Sequence, residues 1–438
     1  MRLSYFPQLL RITLGFVLLG LFGLRGAHGQ GIPHDIRIGL RVKQREVRLV
    51  GLAPVRVEAP GSTPLTLPAG QTLVIQPANG GISLKDSAGT ELLAATTPLR
   101  VVPVISTDAT VTPLIQLLGP TRHYDGKPDR PYRGAMELLL GADGLAVVNV
   151  VAVEDYLKGV VSSEMRCSYP LEALKAQAVA ARTYALKNVG RFADQGFDLD
   201  DTARSQVYGG YFSEDPRTTQ AVTETAGKVL TYDNQLISAV YSSTCGGYTE
   251  SAEEAWGRKV PYLTSVPDFE GTPDGIVPHP VDEAGWAAYC KSWHDLNCLQ
   301  PKFARPEVFR WVRALTRKDL EASLPADQQV GTVMNIIPLH RGASGRITAL
   351  RIDGSARSVT LQTELTIRHA LGNLRSSAFT VDIYRDDAGK PVIFLLWGAG
   401  WGHGLGMCQV GAVGLASQGW KYDAILAHYY QGTALMCL

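Results

Sequence analysis

Short runs of alternating apolar and polar residues dominate the first part of the chain. From about residue 36 to residue 105, Val, Ile and Leu alternate with polar residues in runs such as IRIGLRV and QTLVIQPANGG, and turn signals such as PANGG and DSAG separate the runs. A period of two between such turns is typical of antiparallel strands. The pattern predicts a β-rich N-terminal unit at 30–118, followed by a linker around 119–134.

The periodicity changes in the central region. MELLLGADGLAVVNVV predicts a hairpin that turns at 142–144, and VEDYLKGVV predicts a helix that begins near Glu154. Ser168 is the expected N-cap of a second helix, and Pro170 fits its first turn. Glu164 is expected in the polar loop SSEMRCSYP between the two helices. Apolar residues at a spacing of three or four predict one apolar face on the second helix: Leu171, Leu174, Ala178, Ala181 and Ala185.

The remainder of the chain mixes both periodicities. Residues 268–330 interrupt the pattern, and FRWVRALTRKDLEASL within them ends in a predicted helix. Residues 333–383 predict strands, with SGRITALRIDG as a hairpin-like piece and LTIRHALG as a short helix. We therefore expect an α+β protein, in which the β-rich unit precedes a mixed unit at 130–438 with an inserted lobe at about 268–330.

Glycine is concentrated near the C-terminus. Alternate residues are glycine from 398 to 406, around His403. Such glycines let the backbone approach another chain or a ligand closely, and they leave the imidazole little side-chain packing of its own. The spacing contains no Gly-x-Gly-x-x-Gly, so a dinucleotide site is not expected.

The N-terminal segment has the features of an export signal. Arg2 and Arg11 precede the short apolar run ITLGFVLLGLFGL, and small residues follow at Ala27 and Gly29. This pattern predicts a signal peptide at 1–29 and a mature protein that begins near Gln30, in the periplasm, the cell envelope or the medium. An uncleaved membrane anchor is the alternative.

Charge and cysteine content narrow the function classes. The net charge is only +1 in 438 residues, so nothing in the charge favours nucleic acid as a partner. Six cysteines in an exported chain favour disulfides, with no more than two free thiols. Cys290 and Cys298 could close a small loop, whereas the pairing of the other four stays open. The sequence contains no Cys-x-x-Cys pair, which disfavours a structural zinc site.

Five segments in a fixed order carry a family resemblance. They are VEDYLKGVVSSEM, YPLEALKAQAVAARTYAL, SQVYGGY, YSSTCGGYTE and the stretch from GWGHGLGMCQVG to HYYQGT. Together they resemble the stage II sporulation protein D (SpoIID) family, which includes amidase enhancers, over about 130–438. The resemblance implies action on bacterial peptidoglycan. Sporulation members are lytic transglycosylases that cut glycan strands stripped of their peptides, and other members enhance cell-wall amidases.

The resemblance also assigns roles to residues. It places the catalytic acid of the family on Glu164, which Val160, Val161 and Met165 would surround with apolar groups. A single acid can protonate the glycosidic oxygen and then take the proton of the muramic acid 6-hydroxyl. Glu154 is a weaker candidate, because an acid in the first turn of a helix is favoured by the helix dipole in any case. The matching motifs suggest the following sugar-binding residues: His403, Gln177, Arg182, Tyr184, Ser205, Gln206, Tyr208 and Gln409.

One departure from the family bears on metals. Some relatives carry histidines around the TCGG motif and bind zinc there, but Ser242 and Tyr248 stand at those places here. The resemblance therefore leaves zinc open without predicting it, and we expect no cofactor. Cys245 and Cys408 are instead a candidate disulfide between two motif segments.

Three functions remain as hypotheses. The first is a lytic transglycosylase that acts through Glu164 on glycan strands. The second is a non-catalytic wall-binding enhancer of an N-acetylmuramoyl-L-alanine amidase, for which Glu164 would be dispensable. The third is a hydrolase with Cys408 or Cys245 as nucleophile and His403 as base, which is disfavoured because no orienting acid is evident.

Overall fold

The computed structural model describes residues 35–78, 80–105, 111–120, 128–269, 282–292, 296–299, 303 and 306–438. The predicted signal peptide lies outside these residues. No helix in the described part of the chain is long and apolar enough to cross a membrane.

Strands make up most of the regular structure. In chain order they are β1 Asp35–Gln44, β2 Val47–Gly51, β3 Val55–Glu58, β4 Leu65–Leu67, β5 Thr72–Ala78, β6 Gly81–Lys85, β7 Glu91–Ala95, β8 Leu99–Pro103, β9 Ile115–Leu117, β10 Arg130–Tyr132, β11 Ala135–Gly141, β12 Gly144–Ala152, β13 Leu199–Asp200, β14 Lys228–Tyr232, β15 Gln235–Leu236, β16 Tyr241–Ser242, β17 Arg310–Thr316, β18 Val333–Arg341, β19 Ile347–Gly354, β20 Ser358–Gln362, β21 Phe379–Arg385, β22 Pro391–Ala399, β23 Met407–Cys408 and β24 Ala434–Cys437.

Helices are concentrated after the first twelve strands. They are α1 Val153–Glu164, α2 Leu171–Lys187, α3 Pro216–Glu224, α4 Ala252–Trp256, α5 Glu283–Cys290, α6 Pro306–Phe309, α7 Arg317–Ser323, α8 Glu364–Ala370, α9 Gln409–Ser417 and α10 Tyr422–Tyr429. The predicted α+β class is confirmed, because a β-rich region precedes the helical one.

Two sheets form the β-rich region. One has the strand order β13-β1-β12-β11-β8-β3-β4, and the other has the order β10-β9-β2-β5-β6-β7. The predicted hairpin at 142–144 is confirmed, since β11 pairs with β12 in an antiparallel register that closes at Gly141 and Gly144. Arg130–Tyr132, which fell in the predicted linker, instead form β10 and pair with β9.

Helix α2 separates two hydrophobic cores. Ala178, Ala181 and Ala185 pack with the strands of the β-rich region, whereas Ala173 and Leu174 pack with α9 and α10. The prediction of a single apolar face was therefore wrong. The small alanine side chains allow close approach on both sides, so that the helix is buried almost completely.

The start of α2 also differs from the prediction. Pro170 is the N-cap residue, with an extended backbone and no side-chain cap, and the helix begins at Leu171. Ser168 therefore does not cap it. The proline ring disfavours helical geometry at Tyr169, so the helix cannot begin before Pro170.

A third core lies under the C-terminal strands. Sheets β17-β22-β21 and β18-β19-β20 pack with α7 and α8 around Phe379 and Phe394. The predicted helices in RKDLEASL and LTIRHALG are confirmed as α7 and α8. The hairpin-like piece SGRITALRIDG contains part of the turn and the second strand of the β18–β19 hairpin.

Candidate active site

Glu164 is the last residue of α1, so its placement in a loop was wrong. The chain leaves the helix at Met165, whose backbone is extended. The predicted apolar neighbours Val160, Val161 and Met165 are all buried. The C-terminal end of a helix carries a partial negative charge, which disfavours a carboxylate there and favours the protonated acid.

The carboxyl group of Glu164 is held by the backbone of another segment. The N–H of Val207 donates to Oε1 at 2.8 Å. Burial raises the pKa of the Glu164 carboxyl group above its ordinary value, and the hydrogen bonds from Val207 and Gln409 only partly offset this. Part of the residue remains accessible from the surface. Glu164 thus keeps its proton to a higher pH than an exposed glutamate.

A tyrosine and glutamine network lies beside Glu164. The Gln206 side-chain amide donates to Tyr241 Oη at 2.9 Å and accepts from Tyr156 Oη at 3.3 Å. Burial raises the pKa of Tyr241 well above its ordinary value, and the nearby Glu164 charge raises it further. These tyrosines therefore stay protonated near neutral pH and can act as hydrogen-bond donors.

A second glutamine pair links α2 to α9. Gln409 Nε2 donates to Gln177 Oε1 at 3.2 Å and approaches the backbone oxygen of Glu164 at 3.4 Å. Parallel pairing of β16 with β23 aligns Ser242 with Cys408 and so places Gln409 at the start of α9. The buried Nε2 of Gln177 has no hydrogen-bond partner in the described structure. A donor of this kind is suited to a ligand oxygen.

His403 contacts the same network through the backbone of Tyr241. Its Nδ1 accepts from the N–H of Leu405 at 3.0 Å, and the ring bonds to the backbone of Tyr241. Burial lowers the pKa of His403 to about 4, and the charges of Arg346 and Arg368 act in the same direction. The imidazole is therefore neutral at pH 7, with its proton on Nε2, and it is no proton donor for catalysis.

Comparison with known proteins identifies the family. The model of the SpoIID family, described as stage II sporulation protein, matches residues 142–232, which include Glu164, Gln177 and Gln206. Stage II sporulation protein D of Bacillus subtilis is 32% identical over 303 residues, which cover 66% of this chain and 75% of that protein. The chain belongs to the SpoIID family.

Other matches extend the comparison. An uncharacterized protein of Brachyspira hyodysenteriae is 32% identical over 307 residues, 70% of this chain and 72% of that protein. The amidase enhancer of B. subtilis is 33% identical over 308 residues, which cover 64% of this chain but only 40% of the enhancer. A domain of unknown function (DUF8618) matches residues 250–406, which include His403.

Several predicted sugar-binding residues of this SpoIID-family chain make internal contacts. The Arg182 guanidinium is buried and donates twice to Glu154, at 2.7 Å each. Tyr184 Oη accepts from Arg191, and Tyr208 Oη donates to Asn149. These three side chains therefore join α2 and the segment around Tyr208 to neighbouring parts of the fold. Four of the other predicted residues lie around Glu164 and Tyr241; they are Gln177, Gln206, Gln409 and His403.

Sequence reasoning missed three residues of this SpoIID-family site. Tyr156 and Tyr241 were within quoted motifs, but nothing in their spacing indicated that both would bond to Gln206. Asp200 lies close enough to raise the pKa of Tyr156 and of Tyr184, as Glu164 also does. Its Oδ1 accepts from the N–H and hydroxyl of Thr202, and Ser205 Oγ accepts from the Asp200 N–H. A second carboxylate therefore lies in the surroundings of the same tyrosines.

This SpoIID-family protein also has a basic cavity of about 630 Å³, and Glu164 is not among the residues that line it. Trp401, two residues before His403, forms part of its wall, and the Arg375 guanidinium stacks 5.5 Å from the centre of the Trp401 ring. The cationic and indole side chains that line it are Arg310, Arg313, Arg368, Arg375, Trp311 and Trp401. Such a combination suits anions and sugar rings.

The cysteine predictions were wrong for this SpoIID-family structure. All six cysteines are thiols, so neither the Cys290–Cys298 nor the Cys245–Cys408 disulfide is formed. Cys298 approaches Cys245 and Cys408 instead of Cys290. The loop after α5 therefore connects to the motif segments through Cys298.

Proposed function

We propose that the protein is a lytic transglycosylase that cleaves peptidoglycan glycan strands between N-acetylmuramic acid and N-acetylglucosamine, with Glu164 as its acid and base. The observation that carries the proposal is Glu164, a partly accessible residue at a helix end whose carboxyl pKa is raised by burial. Family membership supports a role in the cell wall. Peptide-stripped strands are the proposed substrate.

A single carboxyl group suffices for this reaction. Protonated Glu164 gives its proton to the glycosidic oxygen as the bond to the anomeric carbon breaks. The resulting carboxylate accepts the proton of the muramic acid 6-hydroxyl, whose oxygen bonds to the anomeric carbon. Atoms balance without water, and a 1,6-anhydro end is formed. The Val207 N–H supports the carboxylate between the two proton transfers.

The surrounding groups have binding roles in this proposal. Gln177 Nε2 and the Tyr241 hydroxyl group provide donors near Glu164, whereas the Tyr156 hydroxyl group donates to Gln206 and holds its amide in place. Neutral His403 orients the Tyr241 segment or contacts the glycan rather than transferring a proton. We further propose that the protein works outside the cytoplasm, from the export pattern of residues 1–29.

The products of the reaction test this function. Mature protein incubated with peptide-free glycan strands is expected to release fragments with 1,6-anhydromuramic ends, each lighter by one water than a reducing end in mass spectrometry. Reducing ends would contradict the transglycosylase mechanism. They would make Asp200 the first candidate for a second base, and an Asp200→Asn variant would then lose activity together with Glu164→Gln.

A second candidate function is a non-catalytic enhancer of a cell-wall amidase. The basic cavity favours it, because anionic wall components could bind there without contacting Glu164. The name of the B. subtilis relative favours it as well.

Removing charge from the cavity tests this alternative. An Arg313→Ala/Arg375→Ala variant is expected to bind isolated cell walls several-fold more weakly, as measured by sedimentation, and to stimulate an amidase less. A matched variant at two exposed cations, Arg45→Ala/Lys187→Ala, removes the same charge elsewhere and should bind as the wild type does. Equal binding by all three proteins would exclude a role for the cavity.

A further inference from the structure

Four buried side chains from separate segments meet behind the glycine-rich region. They belong to Cys245, Asp268, Cys298 and Cys408, and their sulfur and carboxylate oxygen atoms all lie within 4.8 Å of one another. Each of these residues is at most 1% exposed. We call this group the cysteine cluster. Its members are not used by the mechanism proposed above.

The backbone holds the members of the cysteine cluster in place. Cys408 ends β23 and caps α9, where its Sγ accepts from the N–H of Gly411 at 3.3 Å. Cys298 lies in a 3₁₀ turn at Asn297–Leu299, and the N–H of Asn297 donates to the backbone oxygen of Asp268 at 2.9 Å. The cluster therefore joins α9, this turn and the segment after β16.

Hydrogen bonds to two of the sulfur atoms suit thiolates. Cys245 N–H donates to Cys408 Sγ at 3.2 Å, and Gly247 N–H donates to Cys245 Sγ at 3.3 Å. Cys408 is also at the N-terminal end of α9, where the helix dipole favours negative charge. Thiolates are the form in which cysteine binds metal ions.

Asp268 completes the cluster as an oxygen donor. Its Oδ2 lies 3.3 Å from Cys245 Sγ, and its Oδ1 accepts from the Tyr429 hydroxyl at 2.6 Å. A metal-binding carboxylate is typically oriented in this way by a partner on its second oxygen. Among the described residues, no lysine or arginine forms an ion pair with Asp268. Burial raises the pKa of the Asp268 carboxyl group, so this group is either protonated or balanced by a cation, and it ionises readily only beside a bound metal ion.

We propose that the cysteine cluster binds one Zn²⁺ ion through three sulfur atoms and one oxygen atom. Four protein ligands rich in sulfur are the usual set for structural zinc. A disulfide would use only two of the three sulfur atoms and would place no cation beside the Asp268 carboxyl group. This inference differs from our expectation of no cofactor. That expectation considered only the residues near the TCGG motif, and Asp268 and Cys298 lie far from that motif in sequence.

The proposed ion has a structural consequence for the site. Cys408 immediately precedes Gln409, whose side chain contacts Gln177 and the backbone of Glu164. Zinc would fix the start of α9 and thereby the position of this amide. The proposal does not rest on glycan cleavage, and its test does not use activity.

Metal content tests the proposal directly. Full-length protein exported in medium containing zinc is expected to carry about one zinc per chain by inductively coupled plasma mass spectrometry, and a chelator should lower its Tm. Cys298→Ser and Asp268→Asn should lose most of the metal. Cys290→Ser changes a buried thiol outside the cluster and should retain it.

Thiol trapping on the wild type keeps the test informative if a variant does not fold. Alkylation of Cys245, Cys298 and Cys408 should be slow until a chelator is added, and cobalt substitution should give the absorption of a tetrahedral sulfur-rich site. A Cys245–Cys408 disulfide in the non-reduced protein would overturn the proposal. Zinc content that is near zero in the wild type, or equal in the Cys298→Ser variant, would overturn it as well.

Discussion

Replacing Glu164 with Gln is expected to reduce kcat on peptide-free glycan strands by about 10²–10⁴-fold, which is the usual contribution of general acid catalysis. The amide keeps the size of the side chain and can still accept from the Val207 N–H, but it has no proton to transfer. Release of anhydro products from the Glu164→Gln and wild-type proteins, at equal concentration and with matching circular dichroism, measures the effect.

Two further variants define the specificity of that result. Glu253→Gln removes an exposed carboxylate in α4 and should leave the rate unchanged. His403→Ala should mainly raise KM, because the imidazole is neutral and transfers no proton in the proposed reaction. A folded Glu164→Gln variant that cuts strands at nearly the wild-type rate would contradict the proposal. If it also stimulates an amidase fully, the enhancer function is the better explanation.

The raised pKa of Glu164 also predicts a direction in pH. The protonated acid is the active form, so kcat/KM should fall as pH rises through the raised pKa. The contribution of Glu164 to the free energy of unfolding also falls as pH rises. A carboxyl group whose pKa is raised on folding stabilises the fold most at low pH, and this contribution is lost as pH rises through the folded value. Glu164→Gln should lack that loss and be at least as stable as the wild type at pH 7.

Local sequence patterns were enough to predict much of the β-rich region. A period of two and a Gly-Ala-Asp-Gly turn suffice to predict the β11–β12 hairpin, because both signals are contained within about twenty residues. Prediction failed at the end of α1, where two serines suggested a loop. In the structure, Ser162 Oγ donates to the backbone of Lys158 and Ser163 Oγ donates to that of Gly159, so both hydroxyl groups are satisfied inside the helix.

The candidate site could be predicted only where a motif was recognised. Gln177, Gln206 and Gln409 were found in this way and do lie around Glu164. The contacts of Gln177 with Gln409 and of Gln206 with Tyr156 join distant segments, so the pairing itself was not predicted. Arg182 illustrates the opposite case. A guanidinium in a matching motif suggested sugar binding, whereas its two bonds to Glu154 are a tertiary feature that no local pattern contains.

Replacing Gly406 with Ala is expected to lower the free energy of unfolding by about 2–5 kcal/mol, from backbone strain and overpacking together. Gly406 has a φ of +65°, and an added Cβ would lie 2.1 Å from the backbone oxygen of Val240. That oxygen already accepts from the Tyr430 hydroxyl at 2.8 Å, so it has little freedom to move. Urea denaturation followed by circular dichroism measures the loss.

A control variant at a second glycine separates the cost of backbone strain from the cost of close packing. Gly257 has nearly the same φ, +68°, but a Cβ there meets no atom within 4 Å, so Gly257→Ala should cost only the backbone term of about 1–2 kcal/mol. Equal losses in the two variants would show that the glycine-rich segment tolerates added volume. A clearly larger loss at Gly406 would show that glycine is required there for the contact between Val240 and the strand that carries Met407 and Cys408, and hence for the position of Gln409 beside Glu164.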